Sequence, residues 1–212
     1  MWSQKPLNIL YATGRMLLQL TLVGFVLTFI FKTQNIFIIG IILLVMTTTA
    51  SWIALRPVAH KRKETFFKAF ISLLLVGLSF LAFIIFVVIR PKPWYLPTYL
   101  IPLAGMIFSN SMNTMSLSAE RFMKEIENGT EYEHARKIAW RTGLIPLTNT
   151  FLAVGLVSLP GMMTGQILAG IDPLIAVRYQ ILVMAILYGA GGLSTALFLY
   201  LLNGYADKNK IA

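Results

Sequence analysis

Short polar breaks divide the chain into six long apolar runs. Most runs hold about 20 residues, the length of helix that crosses about 30 Å of hydrocarbon. The fifth run ends near residue 159 or continues through a kink to about residue 170. The six runs are residues 9–31, 36–55, 66–89, 95–117, 144–159 and 179–202. The pattern predicts an all-α polytopic membrane protein with about six transmembrane helices.

The only long polar segment is residues 118–143, which carries five acids and five bases. Asn128-Gly129 predicts a break between two helices. Thr130 to Glu133 forms a capping-box pattern that would begin the second helix. In that helix Tyr132, Ala135, Ile138, Ala139 and Thr142 share one face, so it is amphipathic. Such a helix either packs on the membrane surface or binds a soluble partner, and the pattern favours neither.

Residues 158–180 are apolar but interrupted by Pro160 and Pro173. Gly161, Gly165 and Ala169 recur every four residues and predict a face that another backbone can approach closely. Asp172 is the only acid between Glu133 and Asp207. Two readings stay open: a carboxylate beside a transport pathway, or an N-cap before a proline at the first helical position.

The fourth run also carries polar side chains. Met106, Asn110 and Asn113 share a helical face, and buried amides need partners in hydrocarbon. They either bond neighbouring helices or face a pathway. Methionines beside them either fill gaps or bind a soft cation. The candidate pathway residues are Met106, Asn110, Asn113, Met162, Met163, Gln166 and Asp172.

Composition places the chain in a bilayer, because 57% of residues are hydrophobic and 12% are charged. The net charge of +10 fits cytoplasmic loops rich in Lys and Arg better than nucleic-acid binding. With both termini inside, 14 of the 18 bases lie on the cytoplasmic side. We therefore predict a multi-pass protein of the cell membrane with cytoplasmic termini.

The chain carries no recognisable catalytic apparatus. It contains no phosphate-binding Gly-x-x-x-x-Gly-Lys-Ser/Thr motif and no cysteine. His60 and His134 lie in different predicted loops, and neither has a metal-binding partner at useful spacing. We predict a protein that is not an enzyme and binds no cofactor of its own; its metal ligands, if any, are unknown.

Three stretches together resemble the FetB-type permeases. They are GRMLLQLTLVGFVL (14–27), IPLAGMIFSNSMNT (101–114) and VGLVSLPGMMTGQILAGIDPLIAVRYQ (154–180). These permeases are ABC-transporter membrane subunits linked to iron export, and plant aluminium-tolerance proteins are similar. The resemblance implies one permease domain over residues 1–212, a separate ATPase that uses the ATP, and a paired permease. It also implies one further N-terminal span, and a glycine where Ser109 stands.

The resemblance gives residues 126–146 a role. They look like the coupling helix that ABC permeases insert into a groove on the ATPase. The positions that match such a loop are Glu127, Gly129, Ala135, Arg141 and Pro146, and Glu133 is predicted to lie away from the apolar face of the same helix.

Two other classes of function compete with this reading. An ion-coupled secondary transporter would carry several acids within its spans, and here only Asp172 qualifies. A membrane scaffold would use the polar segment to recruit a soluble protein. A neighbouring gene for an ABC ATPase would favour the permease.

Overall fold

The structure is a computed structural model that describes residues 6–32 and 35–203. Within these ranges the chain is helical, with one isolated bridge between Val154 and Ser158 and no strand. The helices are α1 (Pro6–Lys32), α2 (Ile36–Ala54), α3 (Arg62–Phe83), α4 (Pro97–Glu127), α5 (Tyr132–Ala153), α6 (Gly161–Leu168) and α7 (Pro173–Leu201). The all-α prediction is confirmed.

Four helical segments in the described part of the chain are long and apolar enough to cross a membrane. They are Ile9–Lys32, Ile36–Ala54, Ala59–Ile89 and Pro173–Leu201. They match the first, second, third and sixth predicted runs and confirm a polytopic membrane protein. The other two runs lie in α4 and α5, which carry more polar residues, so six spans remain a prediction.

Helix α4 is the centre of the bundle, since it packs against α2, α3, α5 and α7. Its buried face includes Phe108 and Phe122, both with almost no exposed surface. Small residues on neighbouring helices accommodate such rings: a Cβ at Gly77 of α3 would collide with the Phe108 ring. The core is therefore built around α4, with aromatic side chains filling the space that glycines leave.

Helix α1 lies largely outside this core. Nearly all of its described side chains are exposed within the chain, including Leu10 and Phe25. Because so little of this apolar helix is buried against the rest of the chain, lipid or another protein must cover it. The predicted positions of both termini lie outside the described residues.

The third run ends where it was predicted to end. A π-helical turn, Ile84–Ile89, extends α3 to Ile89, and Arg90 follows in the left-handed region with φ of 51°. Pro91 and Pro93 then prevent further helix.

Two predicted helix boundaries around the polar segment are wrong. Helix α4 does not stop at residue 117 but continues to Glu127, and α5 runs without interruption from Tyr132 to Ala153. The amphipathic segment therefore forms the ends of two long helices, not separate short ones. Tertiary packing explains the continuity, because Ser118, Ala119, Ala135 and Ala139 are buried where α4 and α5 meet.

The predicted continuation of the fifth run through a kink is also wrong. Helix α5 ends at Ala153, and residues 154–160 are not helical. Gly155 adopts φ of 81°, a value that favours glycine, and its N–H donates to the Ser158 carbonyl at 3.0 Å. Helix α7 begins at Pro173, six residues before the predicted start at 179, because Asp172 caps it.

Candidate transport cavity and coupling turn

Two asparagines on α4 lie where α5 and α7 approach it. Asn110 is half-buried, and its Nδ2 donates to the Leu187 carbonyl oxygen of α7 at 2.8 Å. The buried Thr114 hydroxyl donates to the Asn110 carbonyl at 3.0 Å. The Asn113 side chain is exposed and makes no hydrogen bond to other described residues. Asn110 thus forms the predicted interhelical bond, while the Asn113 amide remains without a protein partner in the described part of the chain.

A cavity of about 250 Å³ lies beside these asparagines, between α4, α5 and α7. Its polar groups are amides and hydroxyls, and no charged residue lines it. Its lining is Asn110, Asn113, Thr114, Leu117, Gly143, Pro146, Leu147, Thr150, Met184 and Leu187. We call this space the amide cavity. Neutral oxygens and a thioether can coordinate a cation weakly without trapping it.

Two glycines bring the cavity walls together. A Cβ at Gly143 of α5 would lie 2.6 Å from the Thr114 carbonyl oxygen and closer still to the Ser118 hydroxyl. A Cβ at Gly191 of α7 would lie 3.0 Å from Asn110 Nδ2 and 3.1 Å from Thr114 Oγ1. The absence of side chains at both positions lets α5 and α7 approach the polar face of α4.

Sequence reasoning missed the contribution of α5 to this cavity. Thr150 and Pro146 lie one turn apart in α5 and both line it. Proline has no N–H, so the Thr142 carbonyl lacks its usual helical donor, and the Thr150 hydroxyl donates to the Pro146 carbonyl at 2.9 Å. The spacing of proline and threonine in LIPLTNT was the available signal.

The structure does not bring all seven candidate pathway residues together. Met106 is half-buried on α4 but does not line the amide cavity. Met162, Met163 and Gln166 lie on α6, which packs on α7, and none of them lines the cavity either. Gln166 Oε1 is buried and accepts no hydrogen bond from the described residues. A transport role for these residues stays a prediction.

Asp172 caps α7, as one of the two readings predicted. Its Oδ1 accepts hydrogen bonds from the N–H groups of Leu174 at 2.9 Å and Ile175 at 3.3 Å. Pro173 occupies the first helical position. The carboxylate is exposed, so capping and attraction of a cation do not exclude each other, and the second role stays a prediction.

The turn between α4 and α5 reverses the chain at Asn128-Gly129. Gly129 has φ of 82°, which confirms the predicted break and its need for glycine. The predicted capping box is wrong, since Thr130 Oγ1 donates to Glu125 Oε2 at 2.8 Å and Glu131 is the N-cap residue. Glu125 is buried and also pairs with Arg121 at 2.6 Å. Its carboxylate therefore holds the Thr130 side chain against the end of α4.

The proposed coupling residues divide into exposed and buried ones. Glu127 is exposed and lies 3.6 Å from His60 Nε2. Glu133 is exposed and pairs with Arg136 at 2.7 Å, and Arg141 is exposed. Ala135 is fully buried, so any effect it has on a partner acts through helix packing. The predicted apolar face of α5 is confirmed, with Ala135 and Ala139 buried and Glu133 exposed.

Hydrogen bonds hold the polar end of α5 to α7. The Tyr132 hydroxyl donates to the Leu199 carbonyl at 2.8 Å. Burial raises the pKa of this hydroxyl above its ordinary value of 10.0, while the Arg136 hydrogen bond opposes the shift. The hydroxyl therefore stays protonated and able to donate throughout the physiological range.

No ready-made metal centre exists in the described ranges. There, no group of three or more His, Cys, Asp or Glu side chains could hold a metal ion.

The sequence matches a family described as Uncharacterised protein family (UPF0014), over residues 4–134 and 130–205. The chain belongs to the UPF0014 family. A UPF0014 membrane protein of Synechocystis is 40% identical over 89% of this chain and 78% of its own length. No solved structure matches the chain.

Two other relatives of this UPF0014 chain carry more specific names. The Probable iron export permease protein FetB of Escherichia coli is 33% identical over 92% of this chain and 79% of its own length. The Protein ALUMINUM SENSITIVE 3 of Arabidopsis thaliana is 32% identical over 92% of this chain and 75% of its own length. The resemblance stated from sequence is thereby confirmed.

Proposed function

We propose that this chain is the membrane-spanning permease subunit of an ATP-binding-cassette transporter that exports a metal cation such as iron. One observation carries the proposal: a cavity lined by amides and hydroxyls opens between α4, α5 and α7 of a mostly apolar helix bundle. The Asn113 side chain in it has no partner among the described residues, and a polar group without a partner is costly in hydrocarbon, so the cavity supports the passage of a solute. The name of the Escherichia coli relative supports both the iron and the direction of transport.

The chemistry of the amide cavity suits brief coordination. A transported ion must bind well enough to enter and weakly enough to leave. Asn113 Oδ1 and Thr150 Oγ1 offer neutral oxygen ligands. A borderline cation can bind such oxygens while it keeps part of its hydration shell. Their lack of charge avoids the strong attraction of a carboxylate cluster.

The source of energy is a separate ATPase, because this chain has no phosphate-binding loop. Its docking surface in this proposal comprises the exposed charges of Glu127 at the end of α4, Glu133 in the first turn of α5 and Arg141 about two turns further along α5. The same helix carries Thr150 of the amide cavity near its other end. A docked ATPase would therefore act on a helix that lines the pathway.

The complete transporter in this proposal pairs two copies of the chain with the ATPase, in the cell membrane. The exposed apolar surface of α1 gives the second copy a place to bind. The distribution of basic residues along the sequence supports a cytoplasmic position for the α4–α5 turn and both termini, on the side where ATP is available.

Inverted membrane vesicles that contain the chain and its ATPase test the proposal. We expect ATP-dependent Fe²⁺ accumulation that a non-hydrolysable ATP analogue abolishes. Asn113→Leu should reduce the accumulation at equal protein level, because it replaces an exposed amide of the cavity. Ser109→Ala is the matched control, since Ser109 is exposed on the same helix and does not line the cavity.

Two results would contradict this function. Accumulation driven by an ion gradient without the ATPase would identify a secondary transporter. Absence of metal transport by an intact complex, with the soluble partner still bound at the turn, would identify a scaffold.

A further inference from the structure

A second, larger groove lies nearer the α4–α5 turn, at the polar end of the bundle. It has a volume of about 610 Å³ and is bounded by α3, α5 and α7, within the roughly 300–1,000 Å³ typical of ligand clefts. We call it the α5–α7 groove. Its floor is apolar, with Val76, Leu193 and Leu197, and its charged residues are Arg136 and Lys137. The groove shares no lining residue with the amide cavity.

The orientation of the groove follows from the hydrogen bonds between α5 and α7. The Tyr132 hydroxyl donates to the Leu199 carbonyl at 2.8 Å, and Trp140 Nε1 donates to the Gly192 carbonyl at 3.0 Å. The two helices therefore run antiparallel. Arg136 and Lys137 lie towards the α4–α5 turn, beside Tyr200, whereas Leu193 lies seven residues, or about 10 Å, deeper along α7.

The charged end of the groove is suited to an anion. Lys137 is exposed and has no salt bridge to other described residues. The Arg136 guanidinium is fixed by Glu133 at 2.7 Å and by the Tyr132 ring at 5.5 Å. Its single carboxylate partner leaves further N–H groups for an anion. Trp140, partly exposed one turn deeper, is a residue type typical of the membrane interface.

We propose that the α5–α7 groove binds one anionic phospholipid from the leaflet that meets the α4–α5 turn. The phosphate lies on Lys137 and Arg136, and one acyl chain lies along Leu197, Leu193 and Val76. Basic pockets between membrane helices bind anionic headgroups in this way, because the charges meet the phosphate and the apolar wall meets the chain.

The lining of the groove favours a lipid over a soluble partner. Apart from Arg136 and Lys137 its lining side chains are aliphatic or aromatic, and Trp140, a residue type of the membrane interface, bonds the Gly192 carbonyl beside Leu193 at 3.0 Å. A lipid fits both ends of the groove, because its headgroup would contact the charged residues and its acyl chain would contact the apolar floor. This inference requires a membrane chain and does not depend on transport or on an ATPase.

Native mass spectrometry of the purified full chain tests the proposal. The protein is equilibrated with equal amounts of phosphatidylglycerol and phosphatidylcholine in detergent, and the bound lipids are counted. We expect the wild-type chain to retain phosphatidylglycerol preferentially. Lys137→Gln should lower that retention about fivefold, as expected for one basic residue at an anionic surface. Lys124→Gln removes the same charge from the last turn of α4, outside the groove, and should retain the lipid normally.

A second variant tests the apolar half of the site. Leu197→Trp fills the groove and keeps both charges, so it should also reduce bound phosphatidylglycerol while the thermal unfolding temperature stays near that of the wild type. Lys137 is exposed, so its variant keeps the proposal testable even if Leu197→Trp does not fold.

Three results would overturn the proposal. Equal retention of the two lipids by the wild-type chain would remove the headgroup preference. Equal losses in Lys137→Gln and Lys124→Gln would assign the effect to general surface charge. A changed dimer fraction in Lys137→Gln and Leu197→Trp with unchanged bound lipid would show that a second copy covers the groove.

Discussion

Asn110 bonds the neighbouring helix through one end of its side-chain amide only. Nδ2 bonds the α7 backbone at 2.8 Å, and in the described part of the chain nothing donates to Oδ1. Sequence alone placed Asn110 and Asn113 on one face, because helical spacing fixes that. It could not assign the interhelical bond to one of them, because that depends on how closely Gly191 lets α7 approach.

The first prediction concerns Gly143. Gly143→Ala should destabilise the chain by about 1–3 kcal/mol, because its Cβ would collide with the Ser118 hydroxyl and the Thr114 carbonyl, and the backbone atom cannot move aside. For a chain of this size the unfolding temperature falls by roughly 2–4 °C per kcal/mol. Thermal unfolding in detergent measures the effect.

Gly165→Ala is the matched control for that change. Nothing lies within 4 Å of a Cβ at Gly165, and alanine favours helix by up to about 1 kcal/mol over glycine. We expect no loss of stability. Similar unfolding temperatures for Gly143→Ala and the wild-type chain would show that α4 and α5 are not as close as described.

The second prediction separates the two roles of Asp172. Asp172→Asn keeps an oxygen that accepts from the Leu174 N–H, so the cap and the stability should be retained. Asp172→Ala should cost about 0.5–2 kcal/mol. If the carboxylate attracts the substrate, Asp172→Asn and Asp172→Ser will both lower ATP-dependent metal export at unchanged stability.

The comparison is decided by export at equal protein level. Wild-type export by both polar variants would show that capping is the whole role of Asp172. An unfolding temperature of Asp172→Ala equal to that of the wild type would contradict the cap itself.

At the scale of elements, α5 differs most from what the sequence predicted. The polar first half of α5 has an amphipathic pattern, and its apolar second half has a membrane-spanning pattern. The sequence therefore predicted two separate helices. The break predicted at Asn128-Gly129 was correct because glycine there adopts positive φ. The continuity beyond residue 143 depends on tertiary contact: α4 covers both halves of α5, and no local sequence pattern records that.

The third prediction concerns the exposed charges of this element. Glu133→Lys and Arg141→Glu should each weaken association of the ATPase with the permease, because reversing a charge in a docked contact costs several kcal/mol. Membrane insertion should be unaffected, since both side chains are exposed. Co-purification of the ATPase with the tagged permease measures the effect.

Arg178→Glu is the control for that prediction. It reverses an exposed charge on α7 near the opposite end of the bundle and should leave co-purification unchanged. If the ATPase is retained fully by both Glu133→Lys and Arg141→Glu, the α4–α5 turn is not its docking surface.

At the scale of the whole molecule, composition already identified a membrane protein, since 57% of its residues are hydrophobic. It did not show which surfaces face lipid. The sequence also predicted candidate pathway residues on both α4 and α6; of these, only Asn110 and Asn113 of α4 line the amide cavity, and a transport role for the others stays a prediction. Spacing places residues on the face of one helix, whereas the contact between two helices depends on loops such as residues 154–160.

The fourth prediction is the orientation of the whole molecule. The sequence contains no cysteine, so Lys63→Cys, Lys92→Cys and Asn128→Cys each give one exposed thiol. An impermeant thiol reagent on intact cells should label only Lys92→Cys, because the basic loops lie inside. After the membrane is opened, all three should react. Labelling of Asn128→Cys on intact cells would reverse the assigned orientation.

The bond between Asn110 and Leu187 joins residues 77 positions apart in the chain. Ribosomes add about 5–20 residues each second, so roughly 4–15 s pass between synthesis of the amide and synthesis of its acceptor. Helix α4 is not among the four most apolar segments, so during this interval it gains little from entering lipid alone. We expect it to wait at the insertion machinery, paired with α5, until α7 emerges. The side-chain amide of Asn110 is least favourable in lipid during this interval, because the helix that accepts its hydrogen bond has not yet been made.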